Sequence, residues 1–287
     1  MKGHTMRIRL LLLSVFLVLA TAFPVAAQEK ESVYDRVMRT GTIRCGYMLW
    51  DIYLNKDPDT GKMGGIYYDY MEQLGKNLGL KIQWDQAETG NGDYIAALEN
   101  DRFDIYCTVI IYNAQWARQV DFLSPFFYMS SAVFVREGDK RVDGHLEKLN
   151  DPAMTLTTFE GDIFEKISNR EFPAAKKFQI PQMSTEADLF LSVATAKADA
   201  TITETSAALK FMEKNPGKLR MVDIGGPFRA LPASISIKGG EYRFQRMLEI
   251  ATVEMMTSGT IESILKKHEK YPGTLLRVAK PFVTGNP

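Results

Sequence analysis

Aromatic residues and carboxylates at predicted loops and helix starts are the first chemistry this chain offers. Trp50 and Tyr53 fall in an aromatic, acidic loop, Trp50-Asp51-Ile52-Tyr53, and Trp116 falls in the stretch Asn113 to Tyr128, NAQWARQVDFLSPFFY. Further along stand Asp162, next to Gly161, and Glu204, in Thr203-Glu204-Thr205. A cation over a Trp face gains about 0.5–2 kcal/mol, depending on desolvation, so such a set suits a cationic or flat solute. Each aromatic residue alone is more often core than ligand contact, and an acidic residue at a helix start is also a good cap. Catalysis finds less support. His4, His145 and His268 are scattered, and neither a nucleophile elbow nor a phosphate-cradling glycine loop is present. No catalytic residue, metal site or cofactor is expected, although Asp162 and Glu204 as acid and base keep an enzyme among the alternatives.

The elements that would position these side chains follow from periodicity. A helix ending at Thr40-Gly41 leads into a strand over 42–47, and Tyr67, Tyr70, Met71, Leu74 and Leu78 share one helical face closed by Gly79. A strand over 80–84, a short helix over 94–98 and an unbroken apolar run over 103–111, which contains Thr108, complete a strand-helix alternation. The stretch from Asn113 reads as a short helix, a turn at Ser124-Pro125 and the start of a strand, and makes a candidate cleft wall. After a strand over 131–135 the alternation resumes through strands at 154–158, 178–180, 200–203 and 219–222, with helices over 162–167, 184–196 and 205–212. A strand over 233–237 can run back beside 131–135, and helices over 243–258 and 261–267 precede a tail without clear assignment. The expected fold is α/β, two doubly wound lobes joined by two hinge strands, with ligands at the carboxyl ends of the strands. Residues 28–131 and 236–287 form the first lobe and 132–235 the second.

The chain has 287 residues, 45% hydrophobic and 24% charged, enough for two lobes with real cores. Lys2, Arg7 and Arg9 precede the apolar run Leu10 to Leu19, and Val25-Ala26-Ala27 supplies small residues, the pattern of a secretory signal cleaved after Ala27. The run is shorter than the roughly 20 residues of a spanning helix. Basic and acidic residues number 35 each, so loss of the three signal cations leaves a net charge of about −3, no footprint for nucleic acid. Cys45 and Cys107 lie in strand-like runs, TIRCGY and FDIYCTVI. Small buried thiols are the plainer expectation, and one disulfide is the alternative that export allows.

Several local patterns then coincide in order and spacing: Gly64 to Leu80 (GGIYYDYMEQLGKNLGL), Tyr94 to Val109 (YIAALENDRFDIYCTV), Ala117 to Tyr128 (ARQVDFLSPFFY), Lys197 to Glu204 (KADATITE) and Ser258 to Lys267 (SGTIESILKK). Together they resemble the family 3 solute-binding proteins, the type II periplasmic receptors of amino-acid ABC importers. The resemblance implies two lobes that close on a small ligand, hinge strands at 131–135 and near 231–236, and a membrane permease that recognises the closed form. It also implies a first-lobe arginine for the ligand carboxylate, where this chain has Trp116, and a hydroxyl-bearing residue where it has Ile111. A guanidinium fork has no equivalent in an indole. Asn113 remains as a polar neighbour, and the offset of Arg118 matches a solvated helix position. Where the family has Gly-Thr at a helix N-terminus, this chain has Gly161-Asp162, and the family's ligand-ammonium aspartate aligns with Glu204. The candidate binding residues are therefore Trp50, Tyr53, Tyr67, Thr108, Asn113, Trp116, Asp162 and Glu204.

The expected function is that of a periplasmic, monomeric solute-binding protein for ABC-type import, with a site altered toward a cationic or aromatic ligand. A non-transport accessory or sensory binding module is the alternative, and an enzyme on the same fold stands behind it.

Overall fold

The computed structural model of the chain describes residues 30–87 and 93–279; the signal-peptide expectation lies outside them. The elements of the first half are α1 (Val33–Thr40), β1 (Thr42–Tyr47), β2 (Asn55–Lys56), β3 (Met63–Gly64), α2 (Ile66–Leu78), β4 (Lys81–Ala87), α3 (Asp93–Glu99), β5 (Ile105–Ile111), β6 (Val120–Phe122) and β7 (Phe127–Arg136). There follow β8 (Thr155–Phe159), α4 (Ile163–Glu171), β9 (Lys176–Ile180), α5 (Glu186–Ala194), β10 (Ala200–Glu204), α6 (Thr205–Lys214), β11 (Leu219–Met221) and β12 (Arg229–Lys238). Then come α7 (Tyr242–Thr257), α8 (Thr260–His268) and β13 (Leu275–Arg277), which lies in the tail left unassigned by pattern.

The main sheet runs β4-β1-β5-β12-β7-β10-β8-β9. At one end β4, β1 and β5 are parallel, at the other β10, β8 and β9 are parallel, and antiparallel pairing through β12 and β7 joins the two sets. Each parallel set demands helical crossovers that cover its faces. This gives two α/β lobes, connected through the long strands β7 and β12, which contain the segments expected as hinges.

Helix α2 forms because its apolar residues recur three and four apart, and it buries Ile66, Tyr67, Tyr70, Met71 and Leu74. Gly79, at φ 66°, turns the chain out of the helix with its N–H on the carbonyls of Gly75 and Lys76. Gly65, at φ 106°, holds the other end, where a Cβ would lie 2.7 Å from the Tyr53 carbonyl oxygen. That close approach lets the N–H groups of Ile66 and Tyr67 donate to the carbonyls of Ile52 and Tyr53 at 3.0 and 2.8 Å. The aromatic loop is thereby fixed to the start of α2. Phe126 stacks on Tyr70, with ring centroids 4.3 Å apart, and Phe127 stacks on Tyr53 at 6.1 Å, so the aromatic end of the 113–128 stretch anchors the same lobe.

One expectation is corrected. Cys45 and Cys107 are not free thiols but form a disulfide, with Cα atoms 5.4 Å apart. Strands β1 and β5 are parallel neighbours that pair Cys45 with Ile105. Cys107, two residues on, lies on the same side of the pleat as Ile105. Register brings the sulfurs together.

Candidate functional site

The carboxyl ends of the parallel strands of both lobes converge on one cavity of about 390 Å³, within the range of small-molecule sites. After β1, residues 48–51 line it, and β5 contributes residues 109–111 and then Asn113 and Trp116. From the other lobe come Phe159, the turn at Gly161 and the first turn of α4, Gln182 and Ser184 after β9, Glu186 at the start of α5, and Thr203. The walls are mainly apolar and aromatic, and the charged lining residues are Asp51, Asp162, Lys166 and Glu186.

Trp50 owes its position to a tight turn. Its N–H donates to the Leu54 carbonyl at 2.8 Å, while the Tyr53 N–H donates back to the Trp50 carbonyl at 2.9 Å. The indole Nε1–H then donates to Glu186 Oε1 at 3.1 Å, and Lys210 Nζ on α6 pairs with Asp51 Oδ2 at 2.8 Å. Both contacts join one lobe to the other. Trp116 sits in the short turn of 3-10 helix after β5, with the edge of Tyr94 against it at 5.9 Å. Lys166 Nζ, from α4 in the second lobe, lies 5.2 Å from the Trp116 ring centroid. Asn113 accepts the Gln115 N–H at 2.9 Å through Oδ1, and its amide NH2 remains a donor.

Asp162 caps α4, accepting the Glu165 N–H at 2.7 Å. Burial pushes its carboxyl up to about 7, with the Glu165 charge adding, against the backbone N–H bonds of Glu165 and Phe164 and the charge of Lys166. Burial likewise raises Glu186, helped by Asp51 and opposed by the Trp50 hydrogen bond and by Lys210. Both carboxyls bind protons more readily than in water, and a cation entering the cavity would favour their ionised forms.

Of the residues expected from sequence, Trp50, Asn113, Trp116 and Asp162 line the cavity together. Tyr53, Tyr67, Thr108 and Glu204 are not among the residues that line it. Tyr53 is buried and donates to Glu204 Oε1 at 3.1 Å; burial, with the Glu204 charge and this hydrogen bond adding to it, raises its phenol well above its usual range. Tyr67 is buried in the core, where its hydroxyl donates to the Ser234 carbonyl at 3.0 Å. Thr108 is fully buried within β5. Glu204 is 2% exposed and caps α6, accepting the N–H groups of Ser206 and Ala207 at 2.9 and 2.8 Å and the Ser206 hydroxyl at 2.9 Å. Its carboxylate is spent on the helix start and on Tyr53. Arg118 is exposed and lies outside the cavity.

Sequence reasoning missed Glu186 and Lys166. Glu186 follows Thr185, whose side chain forms a capping box with Asp188, and that box is the one local signal at its position. Lys166 stands in the first turn of the helix that Asp162 caps, and both line the cavity. Among the described residues no group of side chains could hold a metal ion.

A sheet of this order, with its cavity at the strand ends of two lobes, defines the type II periplasmic binding fold. A solved ancestral amino acid-binding protein, described as a precursor of cyclohexadienyl dehydratase, shares it with a TM-score of 0.70 at 23% identity, covering 84% of this chain and 100% of that one. The chain belongs to the bacterial extracellular solute-binding proteins, family 3, whose model matches residues 53–270. It is 19% identical over 257 residues to the L-cystine-binding protein TcyJ of Escherichia coli, covering 87% of this chain and 90% of that protein. It is also similar to an enzyme, the cyclohexadienyl dehydratase of Pseudomonas aeruginosa, at 23% over 190 residues, 66% of this chain and 69% of that protein.

Proposed function

We propose that this chain is an exported, monomeric, periplasmic solute-binding protein whose lobes close on a small solute bearing a cationic or aromatic group and present it to the permease of an ABC-type importer. Residues 28–131 and 236–287 form one lobe, 132–235 the other, and the segment through Ala27 is removed on export. The observation that carries the reading is the meeting, in one cavity, of the Trp50 and Trp116 rings from the first lobe with Asp162 and Glu186 from the second. Neither lobe alone offers both an indole face and these carboxylates. A solute that uses both binds the closed form more tightly than the open one, and closure is the resulting shift in population. Amino-acid binding in the relative from Escherichia coli supports a small polar ligand.

The test is a thermal-stability screen of the mature protein against amines, quaternary ammonium compounds, amino acids and aromatic solutes. A ligand at 100 times its Kd adds about 2.7 kcal/mol of stability, and a clear rise in Tm with at least one cationic or aromatic compound is expected. A screen that moves Tm with none of them refutes the reading.

A second reading has one observation in its favour: Asp162, poised near neutral pH inside the cavity, could act as a general acid or base, and a relative of this chain is a dehydratase. Chemical conversion of a bound solute, followed by mass spectrometry, would establish it.

A further inference from the structure

Helix α6 belongs to the second lobe by its packing and reaches the first by its polar side chains. Ala207 and Ala208 are buried in the second-lobe core, and Phe211 and Met212 pack against the same cluster, so the helix moves with that lobe. Its start meets the first lobe where Glu204 accepts the Tyr53 hydroxyl at 3.1 Å and Thr205 shares a 3.0 Å hydrogen bond with Ser130 of β7. Further along, Lys210 pairs with Asp51 at 2.8 Å. Near its end, Glu213 Oε2 accepts from Lys270 Nζ and from the Tyr271 hydroxyl, both at 2.5 Å.

These contacts differ in their distance from the hinge. Glu204 pairs with Ser131 between β10 and β7, and Tyr53 stacks on Phe127 of the same β7, so the start of α6 is a pivot. Lys210 and Glu213 lie about 9 and 14 Å further along the helix axis, at 1.5 Å per residue. A rotation of about 20° at the pivot displaces the Glu213 end by up to about 5 Å, which parts it from Lys270 and Tyr271. Those two partners are held on the first lobe. The turn that carries them, between α8 and β13, is fixed by Glu269 Oε1, which accepts the N–H groups of Gly273 and Leu275 at 3.0 and 3.3 Å. The Thr274 carbonyl then accepts the Ser130 N–H of β7 at 3.0 Å. Glu213, Lys270 and Tyr271 are not among the residues that line the cavity.

We propose that α6 carries a built-in clasp, in which Glu213 with Lys270 and Tyr271, and behind them Lys210 with Asp51, hold the lobes closed through the chain's own groups. Both partners of every contact belong to the chain, so the clasp engages without a solute. An exposed ion pair moves a two-state ratio by up to about fivefold, so the clasp weights the balance between open and closed forms and leaves it reversible. A solute completes the shift, and its apparent affinity scales with the fraction of protein already closed. Residues outside the cavity thereby tune affinity without touching the solute.

Small-angle scattering of the mature, solute-free protein at low salt tests this on the wild type, Glu213→Lys, Lys270→Glu and the double reversal Glu213→Lys/Lys270→Glu, with far-UV circular dichroism to confirm that each is folded. The wild type should scatter as the closed form described above. Each single reversal replaces attraction by repulsion and should lower the closed-to-open ratio about fivefold or more, read as a larger radius of gyration. The double reversal restores opposite charges and should return the compact curve. An open wild type, a folded single reversal as compact as the wild type, or a double reversal that stays open would each overturn the clasp. These readouts use no solute, so their failure leaves the solute-binding reading standing, and a solute screen without a hit leaves the clasp standing.

Discussion

Replacing Asp162 with asparagine separates its two roles. Asparagine is as good an N-cap as aspartate, so α4 keeps the bond from the Glu165 N–H, but the position no longer titrates. In the folded chain the carboxyl is pushed up to about 7, chiefly by burial, from an ordinary value of about 3.9. Between those two values the folded chain holds a proton that the unfolded chain has lost. The contribution of Asp162 to stability is therefore fully present on the acid side and falls as pH rises through that window. For a bound cation the sign is opposite. The cation pairs with the carboxylate, whose ionised fraction rises from about 3% at about pH 5.5 to about 90% at about pH 8, a roughly 30-fold gain in affinity. Glu186, raised by burial in the same direction, adds to it. The assay is isothermal titration at the two pH values with a guanidinium or quaternary ammonium solute, whose own charge is constant across the range. Wild type should gain roughly 30-fold or more and Asp162→Asn only the part owed to Glu186. A pH dependence in Asp162→Asn equal to that of the wild type would refute the reasoning.

Two further outcomes follow from the same structure. Reduction of the Cys45–Cys107 disulfide, or replacement of both cysteines by serine, opens a crosslink spanning 62 residues and should cost about 4 kcal/mol by loop-closure entropy, read as a drop in the urea midpoint; an unchanged midpoint would contradict it. Trp50→Phe keeps an aromatic ring but removes the N–H that reaches Glu186; with about 1.5–3 kcal/mol attached to a hydrogen bond on a charged group, solute affinity should fall about tenfold or more, with the Tm of the ligand-free protein changing far less.

The fold was largely legible because its signals are local and repeated. The α2 face from Tyr67 to Leu78 with Gly79 behind it, the unbroken apolar run of β5 and the return of strand and helix after Arg136 each declare an element without reference to the rest of the chain. What could not be read is what depends on register or on competition between partners. The pairing of Cys45 with Cys107 is set by the alignment of two strands far apart in sequence. Glu204 looked like a carboxylate at a strand end facing a cleft, which is where it starts, but the N–H groups of Ser206 and Ala207 lie closer than any solute and take it as a cap. Tyr53 and Tyr67 have the composition of a cleft wall, and the packing of α2 against Phe126 and Phe127 draws their rings into the core. Glu186 carried no distinguishing pattern beyond a capping box, since its place opposite Trp50 arises only when the lobes meet.

The central claim is that one cavity, shared by two lobes, holds a cationic group between an aromatic face and a carboxylate. Its most direct test is titration of the best cationic solute from the screen against the wild type, Trp116→Ala and Glu186→Gln. The account predicts weaker binding in both, by about 2- to 30-fold for loss of the indole face and about tenfold or more for loss of the carboxylate charge. Unchanged affinity in both variants would contradict it.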